Sequence, residues 1–148
     1  MVGKNQGLET LEVWLGSVDY AVDVCKNVIP NFPSEERWAL ASQLRRAVQS
    51  IPANIAEGYG RYSFQETIHF CYIARGSMAE TKTHLLLAYR IGYIDDDMHQ
   101  KYQSELTELG KMLHGYITHL RKQKRIHSIR ETTESNGYVC RDHIFPNT

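Results

Sequence analysis

Apolar residues recur at spacings of three and four along most of the chain, which is the pattern of amphipathic helices that pack on one another. The first such segment covers residues 8–29 and ends before Pro30 and Pro33, because proline disfavours helical geometry in the preceding residue. Its apolar stripe consists of Leu8, Leu11, Leu15, Val18, Val22, Cys25 and Ile29. The spacing predicts a first helix that turns this stripe toward a core.

Two further helices follow, and both carry end signals. Ser34 is the predicted N-cap of the second helix, and Gly58 and Gly60 stop it. Ser63 and Glu66 have the spacing of a capping box for the third helix, which Gly92 ends. The second stripe comprises Trp38, Ala41, Leu44, Val48, Ile51 and Ile55, and the third comprises Cys71, Ala74, Met78, Thr81, Leu85 and Ala88.

A fourth helix is predicted to begin at the Asp95–Asp97 run, where carboxylates suit the helix dipole. Its stripe comprises Tyr102, Leu106, Leu109, Leu113, Tyr116 and Leu120. The period fades after Ile126, and Asn136-Gly137 is a turn signal. We therefore expect an all-α fold, an antiparallel up-down-up-down four-helix bundle over residues 1–126, with a mobile C-terminal tail over residues 127–148.

Charge and composition narrow the function classes. The chain has 148 residues, with 17 basic and 17 acidic side chains and a formal net charge of zero, so nucleic-acid binding requires a local basic patch. No run of 18 apolar residues is present, and the polar N-terminus lacks the apolar run of a secretory signal. The three cysteines are odd in number and widely spaced, as free thiols in a reducing compartment are. We expect a cytoplasmic protein without membrane contact.

The sequence offers little that suggests catalysis. A di-iron bundle needs Glu-x-x-His on two helices, but only Glu66 and His69 have that spacing, since Glu80 and His84 lie four apart. Cys140 and His143 supply too few ligands for zinc. No glycine-rich phosphate loop follows a strand. We expect no enzymatic activity, no metal and no cofactor.

A polar face on the second helix is a candidate contact surface. Its residues recur at spacings of three and four, and short side chains among them indicate close approach by another helix or another chain. An exposed face stabilised by a Glu57–Arg61 pair is the alternative. With flanking and third-helix residues, this candidate oligomer interface or polar seam comprises Arg45, Arg46, Ser50, Asn54, Glu57, Arg61, Arg75 and Glu80.

A basic cluster lies where the fourth helix is predicted to end. It consists of Arg121, Lys122, Lys124 and Arg125, called the helix-four cations below. Cations at a helix C-terminus are favoured by the helix dipole, which is one explanation. Phosphate binding by copies of the cluster in an oligomer is the other.

Helices two and three carry recognisable blocks. These are Phe32–Arg37 (FPSEER), Gln43–Ala47 (QLRRA), Ser50–Arg61 (SIPANIAEGYGR) and Ile73–Glu80 (IARGSMAE). Together they resemble the bacterial four-helix-bundle family of 23S rRNA intervening-sequence proteins over about residues 8–124. The resemblance implies ring-shaped homopentamers without established enzymatic activity. It also implies kinship with the accessory proteins of diversity-generating retroelements, which are pentameric partners of a reverse transcriptase and bind nucleic acid.

Three hypotheses follow for the function. The first is a homo-oligomeric scaffold that binds RNA or an RNA-handling protein, with the helix-four cations on phosphates. The second is an adaptor for a protein, such as a reverse transcriptase or a ribosome-related protein, with no nucleic-acid contact. The third, an enzyme or metalloprotein built around Glu66 and His69, has the least support.

Overall fold

The computed structural model describes residues 7–139, and four long helices dominate this range. They are α1 (Glu12–Asp23), α2 (Leu40–Tyr59), α3 (Phe64–Ile91) and α4 (Asp96–Val139). A π-helical turn, Val24–Val28, extends α1, and 3₁₀ turns cover Leu8–Thr10, Ile29–Asn31 and Ser34–Trp38. Within the described range no strand is present, and no helix is long and apolar enough to cross a membrane.

Each helix packs on its neighbours in the chain, and α1 also packs on α4, which closes the bundle. Residue order reverses across these contacts. Tyr20 of α1 lies against Tyr102 of α4, whereas the earlier Gly16 lies against the later Leu109. The same reversal joins α2 to α3 and α3 to α4, through the pairs Ser50–Ser77, Gly58–Phe70, Lys82–Gln103 and Tyr72–Arg121. The predicted all-α four-helix bundle is confirmed.

The predicted ends of α3 and the start of α4 are also confirmed. The Ser63 side chain accepts a hydrogen bond from the Glu66 backbone N–H at 3.2 Å. Gly92 adopts a φ of 97°, which suits glycine, and lets the Tyr93 N–H reach the Ala88 carbonyl at 2.8 Å. Asp95 caps α4 by accepting from the Met98 N–H at 2.8 Å.

The predicted core face of the first segment is wrong over α1 itself and right at its end, where Ile29 is buried. Leu15 and Val22 are 42% and 47% exposed, whereas Ser17 and Tyr20 are buried. Ser17 donates to the Trp14 carbonyl at 2.8 Å, and Tyr20 donates to the Tyr102 carbonyl at 2.9 Å. Because their hydroxyls are satisfied, these polar residues can face the core. The buried face of this segment comprises Val13, Ser17, Tyr20, Ala21, Val24, Val28 and Ile29.

The predicted start of the second helix is also wrong. Ser34 begins a 3₁₀ turn, and α2 starts only at Leu40, after Ala39 leaves helical geometry. Glu36 supplies the missing cap, since its carboxylate accepts from the Leu40 N–H at 2.9 Å. That hydrogen bond, with a second from Tyr93, lowers the pKa of Glu36. Trp38, expected in the core, belongs to the turn and is 83% exposed.

The fourth helix does not end near Ile126 as predicted, but continues to Val139 through the Asn136-Gly137 pair. A helix that leaves the bundle needs no apolar stripe, so the fading period did not mark its end. Every side chain described from Lys124 to Ser135 is exposed, so this extension lies outside the core. A separate, mobile tail over residues 127–148 stays a prediction, and residues 140–148 lie outside the described range.

Small residues let α2 approach α3 closely. Gly58 is buried at the end of α2, where an added Cβ would lie 2.7 Å from Phe70 Cβ and 3.0 Å from the Thr67 carbonyl oxygen. Real Cβ atoms do not tolerate such distances, so only glycine fits this crossing without displacing a helix.

We expect Gly58→Ala to lower the free energy of unfolding by about 1–3 kcal/mol through overpacking, although alanine is the better helix former. Urea denaturation measures this change. Gly115→Ala is the matched control, because no atom lies within 4 Å of a Cβ at that exposed α4 position. The control should be neutral or stabilising by up to about 1 kcal/mol. Equal stability of the two variants would contradict the close approach.

Candidate functional site

The middle of the predicted polar seam lies between two helices of the same chain. The Ser50 hydroxyl of α2 is 2.5 Å from the Ser77 hydroxyl of α3 and 3.0 Å from the Ala47 carbonyl oxygen. Asn54 donates its side-chain amide to the Ser50 carbonyl at 2.7 Å. Ser50 therefore serves the α2–α3 contact, which is one of the alternatives that the sequence left open, whereas the Asn54 bond lies within α2.

The charged members of the predicted seam are exposed and do not share one surface. Arg61 pairs with Glu57, as the exposed-face alternative has it, and its guanidinium lies 4.9 Å from the centre of the Phe70 ring. Arg45 lies on the side of α2 that borders α1, among Val22 and Gln49, away from α3. Arg46 and Glu80 are exposed. A contact between chains through these residues stays a prediction.

Arg75 joins the helix-four cations rather than the seam. Its guanidinium lies 4.7 Å from the centre of the Tyr72 ring on α3, and the Arg121 guanidinium lies 5.5 Å from the same ring. Arg121 also donates a hydrogen bond to the Tyr72 hydroxyl. The structure therefore holds two arginines and one aromatic ring together across the α3–α4 groove.

The other helix-four cations lie around this group. Lys124 donates to the Gln65 side chain on α3, while Lys122 and Arg125 are exposed. Within residues 7–139 neither Arg75 nor any helix-four cation forms an ion pair with a carboxylate. Their charges are therefore available to an external anion.

The helix dipole does not account for this cluster. The dipole acts within the last turn of a helix, but α4 continues fourteen residues past Arg125, to Val139. The helix-four cations therefore lie in the body of a helix. Of the two explanations that the sequence left open, the capping one fails.

A wider charge asymmetry surrounds the cluster, and the sequence-based reasoning missed it. Residues 109–130 contain six Lys or Arg and three His, but no Asp or Glu. Because the whole chain has zero formal charge, the remainder carries a net charge of minus six. The sequence does show this asymmetry, as a run of 22 residues without Asp or Glu. The net charge of the whole chain cannot reveal it.

An apolar stripe on the outside of the bundle is a second candidate contact surface. The spacing of its residues in the sequence had predicted that it faces the core. It consists of Leu11, Leu15, Val18 and Val22 on α1 and the turn before it, and is called the outer stripe below. Leu11 and Val18 are half-buried, while Leu15 and Val22 are exposed. Beside it a groove of about 320 Å³ is lined by Val18, Val22, Cys25, Gln49 and Pro52 together with Ala21, Lys26 and Arg45.

The described residues show no catalytic constellation. Within residues 7–139 no three His, Cys, Asp or Glu side chains lie close enough to share a metal ion. Glu66 takes part in the cap of α3, and the His69 ring packs edge-on against Phe70. Cys71 is buried, which raises the pKa of its thiol to about 11 and keeps it protonated. Cys140 and His143 lie outside the described residues.

Comparisons with known proteins give a family and similar solved structures. The family model described as 23S rRNA-intervening sequence protein matches residues 9–115. A crystal structure of a protein of unknown function from the S23 ribosomal protein family of Bacteroides thetaiotaomicron VPI-5482 is 28% identical, with a TM-score of 0.65. The alignment covers 71% of this chain and 97% of that one. The comparison with curated proteins gives no match.

The family model spans most of the bundle, including the whole of α2 and α3 and the four blocks in which the resemblance lies. It ends at residue 115, before the helix-four cations. The chain therefore belongs to the 23S rRNA-intervening sequence protein family.

Proposed function

We propose that the protein is a non-enzymatic, self-associating scaffold that binds RNA through the α3–α4 groove. This proposal rests on the position of the helix-four cations, which lie far from the end of their helix. Within the described range they form no ion pair with a carboxylate. The family's name connects its members with 23S rRNA genes and supports an RNA ligand.

Electrostatics favours a polyanion at this groove. Binding of cations to phosphates releases counterions, so a protein with zero net charge can bind RNA if its positive charge is concentrated on one surface. Six Lys or Arg lie within residues 109–130, and four of these, the helix-four cations, lie within five consecutive residues. The negative remainder would repel RNA elsewhere and so orient it.

The Tyr72 group adds a feature suited to RNA rather than to any anion. Arg75 and Arg121 lie beside its ring at 4.7 and 5.5 Å, and an arginine guanidinium can bind a phosphate through two hydrogen bonds. Guanidinium planes and aromatic rings also stack on unpaired bases. We therefore assign phosphates and an unpaired base of single-stranded RNA to this groove.

The outer stripe supports self-association. Its spacings of three and four are those of a helix-packing seam, yet Leu15 and Val22 in its middle and at its end stay exposed. Gln49 and Pro52 of α2 line the groove beside it, and we place a helix of a second copy against this surface. The homopentamer implied by the family resemblance stays a prediction, and association would repeat the basic groove around the assembly.

We expect replacement of all four helix-four cations by Gln to weaken binding to single-stranded RNA. The slope of log K against log salt should fall by about 3, since each single-strand phosphate contact contributes about 0.7. Fluorescence anisotropy with labelled RNA at several salt concentrations measures both quantities.

The control replaces the same number of cations elsewhere, namely Lys4, Lys82, Arg90 and Lys101, by Gln. It removes the same net charge, so a general charge effect would weaken both variants equally. RNA affinity and slope unchanged in the first variant, with the helical circular dichroism spectrum retained, would refute the assignment of this groove.

We expect the double variant Leu15→Glu/Val22→Glu to dissociate the oligomer, because carboxylates would be buried without partners in the contact. Light scattering after size exclusion gives the mass. Leu87→Glu is the control, since Leu87 on α3 has a similar exposure of 44% but lies off the stripe. A wild-type monomer, or an unchanged mass in the double variant, would exclude the outer stripe as the interface.

A protein-binding adaptor without nucleic-acid contact is the competing function, and the outer stripe is the observation that favours it. An amphipathic helix of another protein could occupy the same groove. Affinity purification before and after nuclease treatment distinguishes the two functions. A partner retained through nuclease treatment, but lost in the Leu15→Glu/Val22→Glu variant, would favour the adaptor.

A further inference from the structure

Trp38 is a large aromatic side chain left in water at one end of the bundle. It is 83% exposed and closes the 3₁₀ turn that precedes α2. The Arg37 guanidinium lies 5.1 Å from the centre of its ring. Since Trp normally buries a large apolar area, a ring held out of the core by a defined turn is available to a ligand.

A cavity of about 530 Å³ opens beside this ring. Its lining combines apolar side chains with hydroxyls and two guanidinium groups, and comprises Ile29, Phe32, Pro33, Ser34, Arg37, Trp38, Ala41, Ser42 and Arg45. The size is typical of a site for a small organic ligand.

The charge of the cavity has one sign. Arg37 and Arg45 are its only charged lining residues within the described part of the chain. The adjacent Glu36 carboxylate is committed elsewhere, because it accepts from the Leu40 N–H at 2.9 Å and from the Tyr93 hydroxyl at 2.7 Å. The cavity is therefore matched to an anion that also carries a flat ring.

This cavity is remote from the α3–α4 groove. The turn before α2 contacts Tyr93, just after the end of α3, whereas Arg121 contacts Tyr72 near its start. From Tyr72 to the end of α3 at Ile91 the helix rises about 30 Å. A ligand in the cavity would not touch the helix-four cations.

The geometry points to a nucleotide-binding site, in which a nucleobase stacks on Trp38 and its phosphate binds Arg37 and Arg45. Aromatic stacking holds bases of any identity, and guanidinium groups bind phosphate through paired hydrogen bonds. The Ser34 and Ser42 hydroxyls line the same cavity and can bind the remaining phosphate or ribose oxygens. The nucleotide is either free or part of a single-stranded RNA, and both sources share this chemistry.

The test is quenching of tryptophan fluorescence in the full-length protein on titration with 5′-AMP, with adenosine and with a single-stranded hexa-adenylate. The variant Trp38→Phe retains Trp14 and gives the background signal. We expect 5′-AMP to quench the fluorescence of the wild-type protein but not that of Trp38→Phe. Adenosine should bind more weakly than 5′-AMP by roughly tenfold or more, because it lacks the phosphate.

Two charge variants locate the phosphate. Arg37→Gln/Arg45→Gln should weaken 5′-AMP binding by roughly tenfold or more. The control Lys82→Gln/Arg90→Gln removes the same charge outside the cavity and should leave it unchanged. The variant lacking all four helix-four cations should also retain quenching, so this site can succeed or fail independently of the proposed groove.

The outcomes are distinct. Quenching by the mononucleotide alone assigns the cavity to free nucleotides, and much tighter binding of the hexa-adenylate assigns it to an RNA strand. Absence of quenching by both ligands at millimolar concentration overturns the site. Undiminished binding in Arg37→Gln/Arg45→Gln, or loss of quenching in the variant without helix-four cations, overturns it as well.

Discussion

The close approach of α2 and α3 fixes the positions of the other helices. Gly58 leaves no room for a Cβ against Phe70, and Ser50 meets Ser77 at 2.5 Å. Ser50 and Gly58, both in the recognisable block Ser50–Arg61, are therefore explained by packing within one chain before any ligand is considered. With these two helices fixed, Tyr72 on the far side of α3 is held where Arg121 of α4 reaches it.

The sequence predicted the α3 stripe and its caps correctly, because those signals are local. It assigned the wrong face of α1 to the core, since spacing alone does not tell which of two stripes is buried when Ser17 and Tyr20 can satisfy their hydroxyls internally. It placed Trp38 in the core because Ala39 gives no sign of the break that separates the turn from α2.

The candidate site was predictable in part. The helix-four cations were visible in the sequence as a cluster. Whether they cap the helix dipole or bind phosphate depends on where α4 ends, and only the structure gives that length. Arg75 was grouped with α2 because a helical pattern cannot show which neighbour an exposed side chain will reach, and the structure places it on Tyr72. The protein is therefore a bundle with zero total charge and a basic groove between α3 and α4. We place a second copy on its outer stripe.

The most direct test of the account is the salt dependence of wild-type binding to a 23S rRNA fragment and to an unrelated RNA of equal length. Salt is varied from about 50 to 300 mM, and the mass is measured in the same buffer. We expect an oligomer whose affinity for RNA falls steeply as salt rises, while the ratio of the two affinities measures specificity. An oligomer that binds neither RNA at the lowest salt would contradict the central claim and would leave the protein-binding adaptor as the better explanation.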